Sequence, residues 1–316
     1  MQVWDGLENV PTDWPSSVVT IGVFDGVHVG HRALIRKAVE QSALGGMPCV
    51  VLTFSPNPVE VVGYGDPPRR LATLDQRLAL LASLGVDATG VLHFDESVAK
   101  LTPGQFAGSV LSDRLHAGLV VVGTNFHFGH RARGDVDTLE QLGESLGFGV
   151  EPVYLLPVEF NGTPVSSSLI RELVAKGDVA ASSRLLARPH RVEGLVAAGD
   201  ARGRELGFPT ANVDPTEFAA IPSDGVYAGR LVVDPYGEHH IFDAAVSVGT
   251  NPTFEGDSGR RIEAWAYDAG DIDIYDQHVA VDFVDRIRDQ ETFSGTDQLV
   301  TAVKKDEAAI RRIFGG

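Results

Sequence analysis

Two histidines, His28 and His31, lie three residues apart in a glycine-rich stretch of this 316-residue chain. Gly22, Gly26 and Gly30 let the backbone in this stretch approach a ligand closely. Imidazole rings can donate hydrogen bonds to oxygens whose negative charge grows when a phosphoryl group is attacked. The spacing therefore favours phosphoryl chemistry, although two histidines at a helix start can also cap that helix or pack on it.

The flanking residues predict the elements that would position these side chains. Residues 18–21 are apolar and mostly β-branched, which is typical of a buried strand. Residues 32–44 place apolar side chains on one helical face, and Gly45 and Gly46 then end the helix. A strand, a glycine turn and a helix start together form an anion site, because free N–H groups and the helix dipole both favour phosphate.

Residues 22–31, Gly-Val-Phe-Asp-Gly-Val-His-Val-Gly-His, resemble the nucleotide-binding signature of the HxGH nucleotidylyltransferases. The Phe-Asp-Gly version is similar to bacterial FAD synthetases, the bifunctional riboflavin kinase/FMN adenylyltransferases. The resemblance implies an α/β Rossmann-like nucleotidylyltransferase domain, followed by a small antiparallel β-barrel riboflavin kinase domain with a C-terminal helix. It implies catalytic roles for His28 and His31, and nucleotide binding by Gly22, Phe24, Asp25, Gly26 and Gly30.

The composition is that of a globular protein, with 43% hydrophobic and 22% charged residues. The formal charge of −17 argues against a general nucleic-acid-binding surface, which needs a basic face. No apolar run approaches the roughly 18 residues that span a bilayer, and the N-terminus does not resemble a signal peptide. We therefore expect a cytoplasmic protein without membrane partners, and the sequence leaves its oligomeric state open.

Two further segments of the first half follow predicted strands. Residues 48–54 predict a buried strand, and Asn57 comes just after it, where the family usually has a histidine. Residues 119–123 predict another strand, followed by Asn125 in a segment that lines the nucleotide site in the family. Because ligands bind at the carboxyl ends of parallel strands, we expect both asparagines to contact nucleotide. A hairpin with aromatic packing is the alternative for residues 124–129.

Residues 165–171 predict the start of a helix preceded by serines. Hydroxyl and N–H groups at a helix start can bind an anion, and Arg171 one turn later has a fork that suits phosphate. Ordinary helix capping explains the serines equally well. The family has Ser-Ser-Thr-x-x-Arg at this place, and the resemblance implies that Ser167, Ser168 and Arg171 position ATP.

The composition changes near residue 186 from helices and strands to short strands and turns. We therefore expect an adenylyltransferase domain at 1–186 and a riboflavin kinase domain at 187–316. In the second half, five predicted strands have the spacing of a small antiparallel barrel, and residues 296–314 predict an amphipathic helix that packs on it.

The stretch 203–212, Gly-Arg-Glu-Leu-Gly-Phe-Pro-Thr-Ala-Asn, carries the second functional signal. Its glycines allow close approach, and Thr210 and Asn212 offer the oxygen ligands that Mg²⁺ accepts beside phosphate and water. The stretch resembles the PTAN motif of riboflavin kinases. The resemblance implies that Gly207 and Pro209 contact nucleotide and that Thr210 and Asn212 hold Mg²⁺ with ATP as substrate.

Residues 261–268 extend this resemblance, and in the family the glutamate of this strand activates the ribityl 5′-hydroxyl. That role points to Glu263, because a carboxylate within reach can accept the hydroxyl proton during phosphoryl transfer. A solvated charge on an edge strand is the alternative. The resemblance also implies that Arg288 and Phe293 contact flavin.

We therefore expect a two-step enzyme that phosphorylates riboflavin to FMN with ATP and then converts FMN and ATP to FAD and pyrophosphate. One alternative is a riboflavin kinase with a weakened or inactive first domain, because Asn57 replaces the usual histidine. The other is a flavin-binding regulator or carrier on the same folds. Intact His28, His31, Thr210, Asn212 and Glu263 argue against a mere binder.

Overall fold

A computed structural model describes residues 1–63, 66–154, 159–197, 208–250, 260–269 and 274–315. Contacts between Cα atoms divide the chain into two compact units. The first consists of Met1–Pro68 and Leu74–Ser166, and the second of Arg69–Thr73 and Ser167–Gly316. The five residues of Arg69–Thr73 thus belong to the second unit, although they precede most of the first in sequence.

A six-stranded parallel sheet in the order β1-β4-β3-β2-β5-β6 forms the centre of the first unit. Its strands are β1 (Gln2–Asp5), β2 (Ser17–Ile21), β3 (Cys49–Ser55), β4 (Ala88–His93), β5 (Ala117–Gly123) and β6 (Gly149–Val153). A separate hairpin pairs β7 (Glu159–Phe160) with β8 (Thr163–Pro164).

Helices cover both faces of this sheet. They are α1 (Val29–Gly45), α2 (Pro58–Val62), α3 (Leu74–Ala82), α4 (Glu96–Ala99), α5 (Pro103–Phe106) and α6 (Val136–Leu146). Short 3₁₀ segments span Leu7–Asn9 and His130–Ala132. Alternate residues of β2 enter different cores: Val19 and Ile21 pack on one face, whereas Val18 packs with Ile35 of α1 on the other. Burial on both faces explains the continuous apolar strands and confirms the predicted α/β Rossmann-like class.

The second unit begins with α7 (Ser167–Ala175) and α8 (Val179–Leu186) and then forms a closed antiparallel barrel. The strand order around the barrel is β10-β13-β12-β11-β14-β9. The strands are β9 (His190–Ala197), β10 (Ala211–Pro215), β11 (Gly225–Val233), β12 (His240–Thr250), β13 (Arg260–Ala266) and β14 (His278–Arg288). The predicted small barrel is confirmed.

The helix predicted at the C-terminal end is also confirmed, as α9 (Thr296–Phe314). It covers the outer surface of the barrel, where Ile310 packs with Ala228 and Tyr267. The barrel interior is filled by inward-facing side chains such as Tyr227, Ile262 and Phe283, all fully buried.

The sequence did not predict every element, and one predicted helix end was wrong. The sequence Thr-Pro-Gly-Gln at 102–105 predicts a capping box and a helix that runs to about His116, and the capping box of Thr102 with Gln105 is present. However, α5 passes into a π-helical segment, Ala107–Ser112, and ends there. Among the described residues, no helix is both long and apolar enough to cross a bilayer.

Candidate functional site

The turn between β2 and α1 has an unusual backbone. Phe24 and Val27 have φ values of 52° and 41°, and Gly26 has a φ of 77°. Left-handed conformations at bulky residues persist only where the surroundings enforce them, and they cluster at functional sites. The Phe24 ring is buried against position 22, where a Cβ atom would lie only 2.8 Å from it. Glycine at position 22 is therefore a steric requirement of this turn.

His28 and His31 form a stacked pair at the start of α1. Their ring centroids are 3.6 Å apart with an interplanar angle of 19°. His28 is the N-cap residue, and its Nδ1 accepts a 3.3 Å hydrogen bond from the backbone N–H of His31. An accepting Nδ1 places the ring proton of neutral His28 on Nε2. A Cβ atom at Gly30 would lie 3.2 Å from the His28 ring, so glycine there preserves the stack.

The His31 imidazole is neutral at neutral pH. Burial, with a smaller contribution from His28, lowers the pKa of His31 well below its usual value. Its Nδ1 is buried and has no hydrogen-bond partner within the described part of the chain. A neutral imidazole can still donate a hydrogen bond from its N–H. The pair can therefore stabilise charge on a phosphate oxygen without first gaining a proton.

Asn57 caps a helix at the end of β3. Its side-chain oxygen accepts a 3.2 Å hydrogen bond from the Val59 N–H, at the start of α2. The Ser55–Pro56 peptide just before it is cis. In this arrangement the amide oxygen serves the helix, so the Asn57 NH₂ group is the part that can donate to a phosphate.

Asn125 follows β5, and its side chain is exposed. The neighbouring Phe126 and Phe128 stack 5.5 Å apart and pack on the core, as the hairpin alternative expected. Aromatic packing and an exposed Asn125 coexist in this segment. Because β2 lies between β3 and β5, the turn at 22–28, Asn57 and Asn125 all follow adjacent parallel strands at the same edge of the sheet.

Ser167, Ser168 and Arg171 lie on the first turns of α7 in the second unit. Arg171 donates from Nε to the Arg69 carbonyl oxygen at 2.6 Å, so part of its guanidinium holds the backbone of the 69–73 segment. The sequence pattern had assigned this arginine to phosphate alone. Its structural contact within the second unit is additional to that prediction.

In the barrel, Asn212 on β10 lies directly opposite Glu263 on β13. The neighbours Ile262 and Ala264 are buried in the barrel core, so the Glu263 side chain points to the outer surface. Opposed side chains in an antiparallel pair have Cβ atoms about 5 Å apart. The amide and the carboxylate therefore share one patch of the barrel. Because β13 is paired on both sides, Glu263 does not lie on an edge strand, and its side chain faces outward as the solvated-charge alternative also expected.

Thr210 and Pro209 lead directly into β10, and Phe208 fixes this approach. The Phe208 ring contacts Trp265 edge to face at a centroid distance of 4.7 Å. Trp265 lies two residues beyond Glu263 on the same strand, so this contact ties the segment before β10 to the strand that carries Glu263. Gly207 lies outside the described residues.

Ser247 on β12 lies opposite Glu263 on the other side from Asn212. Its hydroxyl accepts a 2.9 Å hydrogen bond from Gln290, whose amide also donates to the Val248 carbonyl oxygen at 3.0 Å. Sequence reasoning assigned no role to Gln290. Nothing in the sequence around Gln290, which follows the last barrel strand, indicates that its side chain contacts β12.

Arg288 makes a bidentate ion pair with Asp306 on α9, with Nη2 at 2.8 Å from Oδ2. Its guanidinium also lies 5.8 Å from the Phe293 ring centroid. Arg288 therefore fastens α9 to the barrel. Cross-strand register places Asn212, Glu263, Ser247, Val226 and Arg288 in one row across five strands. Glu263 and Arg288 lie three strands apart in either direction around the closed barrel.

Comparison with known proteins identifies relatives over both units. The family model described as FAD synthetase matches residues 10–169, and the model described as riboflavin kinase matches residues 186–314. A bifunctional riboflavin kinase/FMN adenylyltransferase of Pseudomonas fluorescens is 35% identical over 99% of this chain and 98% of its own length. A protein of the same description from Escherichia coli K12 is 34% identical over 94% of this chain and 93% of its own.

A solved structure has the same fold. It is a crystal structure described as a macrolide-efflux protein from Streptococcus pneumoniae, with a TM-score of 0.85, 31% identity and 98% coverage of both chains. The likeness to that protein concerns the fold, and its description applies to it alone. The two matching family models and the near full-length relatives together show that this chain belongs to the family of bifunctional riboflavin kinase/FMN adenylyltransferases.

Proposed function

We propose that this protein makes FAD from riboflavin in two ATP-dependent steps, first phosphorylating riboflavin to FMN and then adenylylating FMN with release of pyrophosphate. The observation that carries the proposal is that each unit has its own set of phosphate-directed residues. The first unit has the stacked His28–His31 pair at a parallel-sheet edge, and the second has Asn212 opposite Glu263.

In the kinase step, Glu263 accepts the proton of the ribityl 5′-hydroxyl as the hydroxyl oxygen attacks the γ-phosphorus of ATP. The new O–P bond forms FMN, and the bond to the β-phosphate oxygen breaks to leave ADP. The half-buried position of Glu263 between Asn212 and Ser247 restricts the directions in which its carboxylate can point. Such restriction favours in-line attack.

The donor set beside Glu263 fits Mg²⁺. Thr210 and Asn212 supply uncharged oxygens, and no group of three His, Cys, Asp or Glu side chains forms a metal cage in the described ranges. Mg²⁺ commonly takes few protein ligands and completes its octahedron with phosphate oxygens and water. We assign Thr210 and Asn212 as its protein ligands. When bound, the ion neutralises charge that develops on the β- and γ-phosphate oxygens.

In the adenylyl transfer step, a phosphate oxygen of FMN attacks the α-phosphorus of a second ATP, and pyrophosphate leaves. We propose that the Nε2–H of His28 and the imidazole of His31 donate hydrogen bonds to oxygens that gain charge in this transition state. The N–H groups and the dipole at the start of α1 add to the same positive potential.

The remaining assignments follow the family motifs residue by residue. The nucleotide-binding residues proposed here are Gly22, Phe24, Asp25, Gly26, Gly30, Asn57, Asn125, Ser167, Ser168, Arg171, Gly207 and Pro209. Arg288 and Phe293 are proposed to contact flavin, and their mutual contact supports a joint role.

We propose functional domains at 1–186 and 187–316. The limits of the two matching family models, 10–169 and 186–314, are compatible with this division. The proposal also places the enzyme in the cytoplasm, where ATP is available, with riboflavin, FMN and ATP as its partners.

The alternative of a riboflavin kinase with an inactive first domain is not favoured, because the FAD synthetase family model matches residues 10–169. The test supplies each substrate separately. Riboflavin with ATP and Mg²⁺ should give FMN, and FMN with ATP and Mg²⁺ should give FAD and pyrophosphate in equal amounts. Many turnovers per protein in the first assay would exclude a flavin carrier, and absence of FAD in the second would support the kinase-only alternative.

A further inference from the structure

A buried arginine on α3, Arg77, lies behind the candidate adenylyl transfer site. Only 8% of its surface is exposed. A buried charge is costly unless it is hydrogen-bonded, and Arg77 donates from both ends of its fork. Nη1 donates to the Val23 carbonyl oxygen at 2.6 Å, and Nη2 donates to the Phe54 carbonyl oxygen at 3.0 Å.

These two carbonyls belong to the ends of neighbouring strands. Val23 is the second residue after β2, in the glycine turn that leads to His28. Phe54 lies in the last part of β3, three residues before Asn57. One planar guanidinium thus spans the two segments that carry the proposed catalytic histidines and the proposed phosphate donor.

The Val23 carbonyl precedes the part of the turn with left-handed residues. Phe24 follows it with a φ of 52°, a conformation that a bulky residue keeps only under constraint. A second buried donor, the Thr53 hydroxyl, reaches the same carbonyl oxygen at 3.1 Å. Two hydrogen bonds from β3 and α3 therefore converge on the peptide group that must hold its orientation for the turn to form.

We infer that Arg77 is a positioning residue for adenylyl transfer. It fixes the spacing between the glycine turn and the end of β3, so that His28, His31 and Asn57 face the reacting phosphates together. Arg77 acts through the backbone and contacts no reacting group in this account. The inference rests on the proposed adenylyltransferase function of the first unit.

Lysine cannot replace this arginine, because one ammonium group cannot hold two separated carbonyls in a fixed plane. Arg77→Lys should lower kcat for FAD formation from FMN about 10- to 100-fold, since misplacement by about 1 Å can have that effect. KM values for FMN and ATP should change much less. Thr53→Val, which removes only the second donor to Val23, should have a smaller effect.

The experiment measures kcat and KM of FAD formation for the wild type, Arg77→Lys, Arg77→Ala, Thr53→Val and the control Arg114→Lys, which alters an exposed arginine. Riboflavin kinase turnover of each sample serves as an internal reference and should stay within about twofold. Guanidinium at low millimolar concentration should partly restore Arg77→Ala, a result that a general loss of folding would not give. Thermal unfolding of each variant identifies any that fails to fold, and Arg77→Lys, which keeps the charge and most of the bulk, then carries the test.

Wild-type kcat in Arg77→Lys would overturn the inference, and so would equal losses of FAD formation and kinase turnover. If the wild type itself makes no FAD from FMN, the proposed adenylyltransferase function fails and the role of Arg77 fails with it. If the wild type makes FAD and Arg77→Lys makes it with the wild-type kcat, the inference about Arg77 alone fails.

Discussion

Asn212 and Glu263 lie directly opposite each other on β10 and β13, with both side chains on the outer surface of the barrel. This pairing places an amide oxygen suited to Mg²⁺ beside a carboxylate suited to accept a hydroxyl proton. Because register in a closed barrel is fixed by the whole set of strands, the two groups cannot drift apart without disrupting the sheet. The kinase proposal depends on this relationship.

Glu263→Gln should remove the proposed base while keeping the size of the side chain. We expect the kcat of riboflavin phosphorylation to fall about 10²- to 10⁴-fold, the usual contribution of general base catalysis. FAD formation from supplied FMN should stay near the wild-type rate. The control is Glu238→Gln, whose side chain is 86% exposed. Kinase turnover within about threefold of the wild type in Glu263→Gln would exclude Glu263 as the base.

Asn57 gives a prediction with two opposing effects. Asn57→His should raise kcat of FAD formation about 10- to 100-fold if a charged donor replaces a neutral one. The same change removes the Asn57 cap of α2 and should lower the free energy of unfolding by about 1 kcal/mol. Asn57→Asp keeps the cap acceptor but loses the NH₂ donor, and its FAD formation should fall. No gain in Asn57→His would mean that the native amide is already a sufficient donor.

His28→Asn separates helix capping from catalysis. Asparagine is a favourable N-cap residue, so α1 should keep its start and the protein its unfolding midpoint. The ring Nε2–H is lost, and kcat of FAD formation should fall about 10²- to 10³-fold, as for loss of one charge-stabilising donor. Kinase turnover measured on the same sample provides the control. A variant with a full adenylyl transfer rate would indicate that His28 is only a cap.

The buried imidazole of His190 should make the stability of the barrel depend on pH. Burial lowers the pKa of His190 from 6.5 to about 4, so the unfolded chain binds more protons than the folded barrel between these values. Above pH 6.5 the His190 imidazole is neutral in both states, and the free energy of unfolding does not change through this group. On acidification below pH 6.5 the free energy of unfolding decreases, by up to about 3 kcal/mol at pH 4.

Urea unfolding of the wild type and His190→Gln at a series of pH values between 7.5 and 4.5 measures this contribution. The variant should lose stability less steeply as the pH falls. His240→Gln, in which an exposed histidine is changed, should keep the wild-type slope. Identical slopes for the wild type and His190→Gln would show that His190 does not govern the acid sensitivity.

The sequence predicted the elements whose patterns are strong. Apolar runs revealed β2, β3 and β5, and they gave the doubly wound arrangement because both faces of these strands are buried. Five strands were missed, namely β1, β6, β7, β8 and β10. The first, β1, has polar ends, and β10 contains Asn212, Asp214 and Pro215, which are residues depleted in strands. These segments form strands because they pair with neighbouring strands that are distant in sequence, and the local residue pattern carries no information about that pairing.

The site was predicted as a set of residues and not as a geometry. Motifs gave Asn212 and Glu263 separately, whereas their register depends on barrel closure. Arg77 was missed, although a signal existed: it lies one turn after Leu74 and one turn before Leu81, on the apolar face of α3. A lone arginine at such a position indicates a buried guanidinium with backbone partners, and this chain provides them at the ends of β2 and β3.

The most direct test of the two-site account is a time course with purified protein, riboflavin, excess ATP and Mg²⁺, in which riboflavin, FMN, FAD and pyrophosphate are separated and quantified. We expect FMN to appear first and FAD to follow, with pyrophosphate released only as FAD forms. Riboflavin that is not consumed, or FMN that accumulates without FAD or pyrophosphate, would contradict the account.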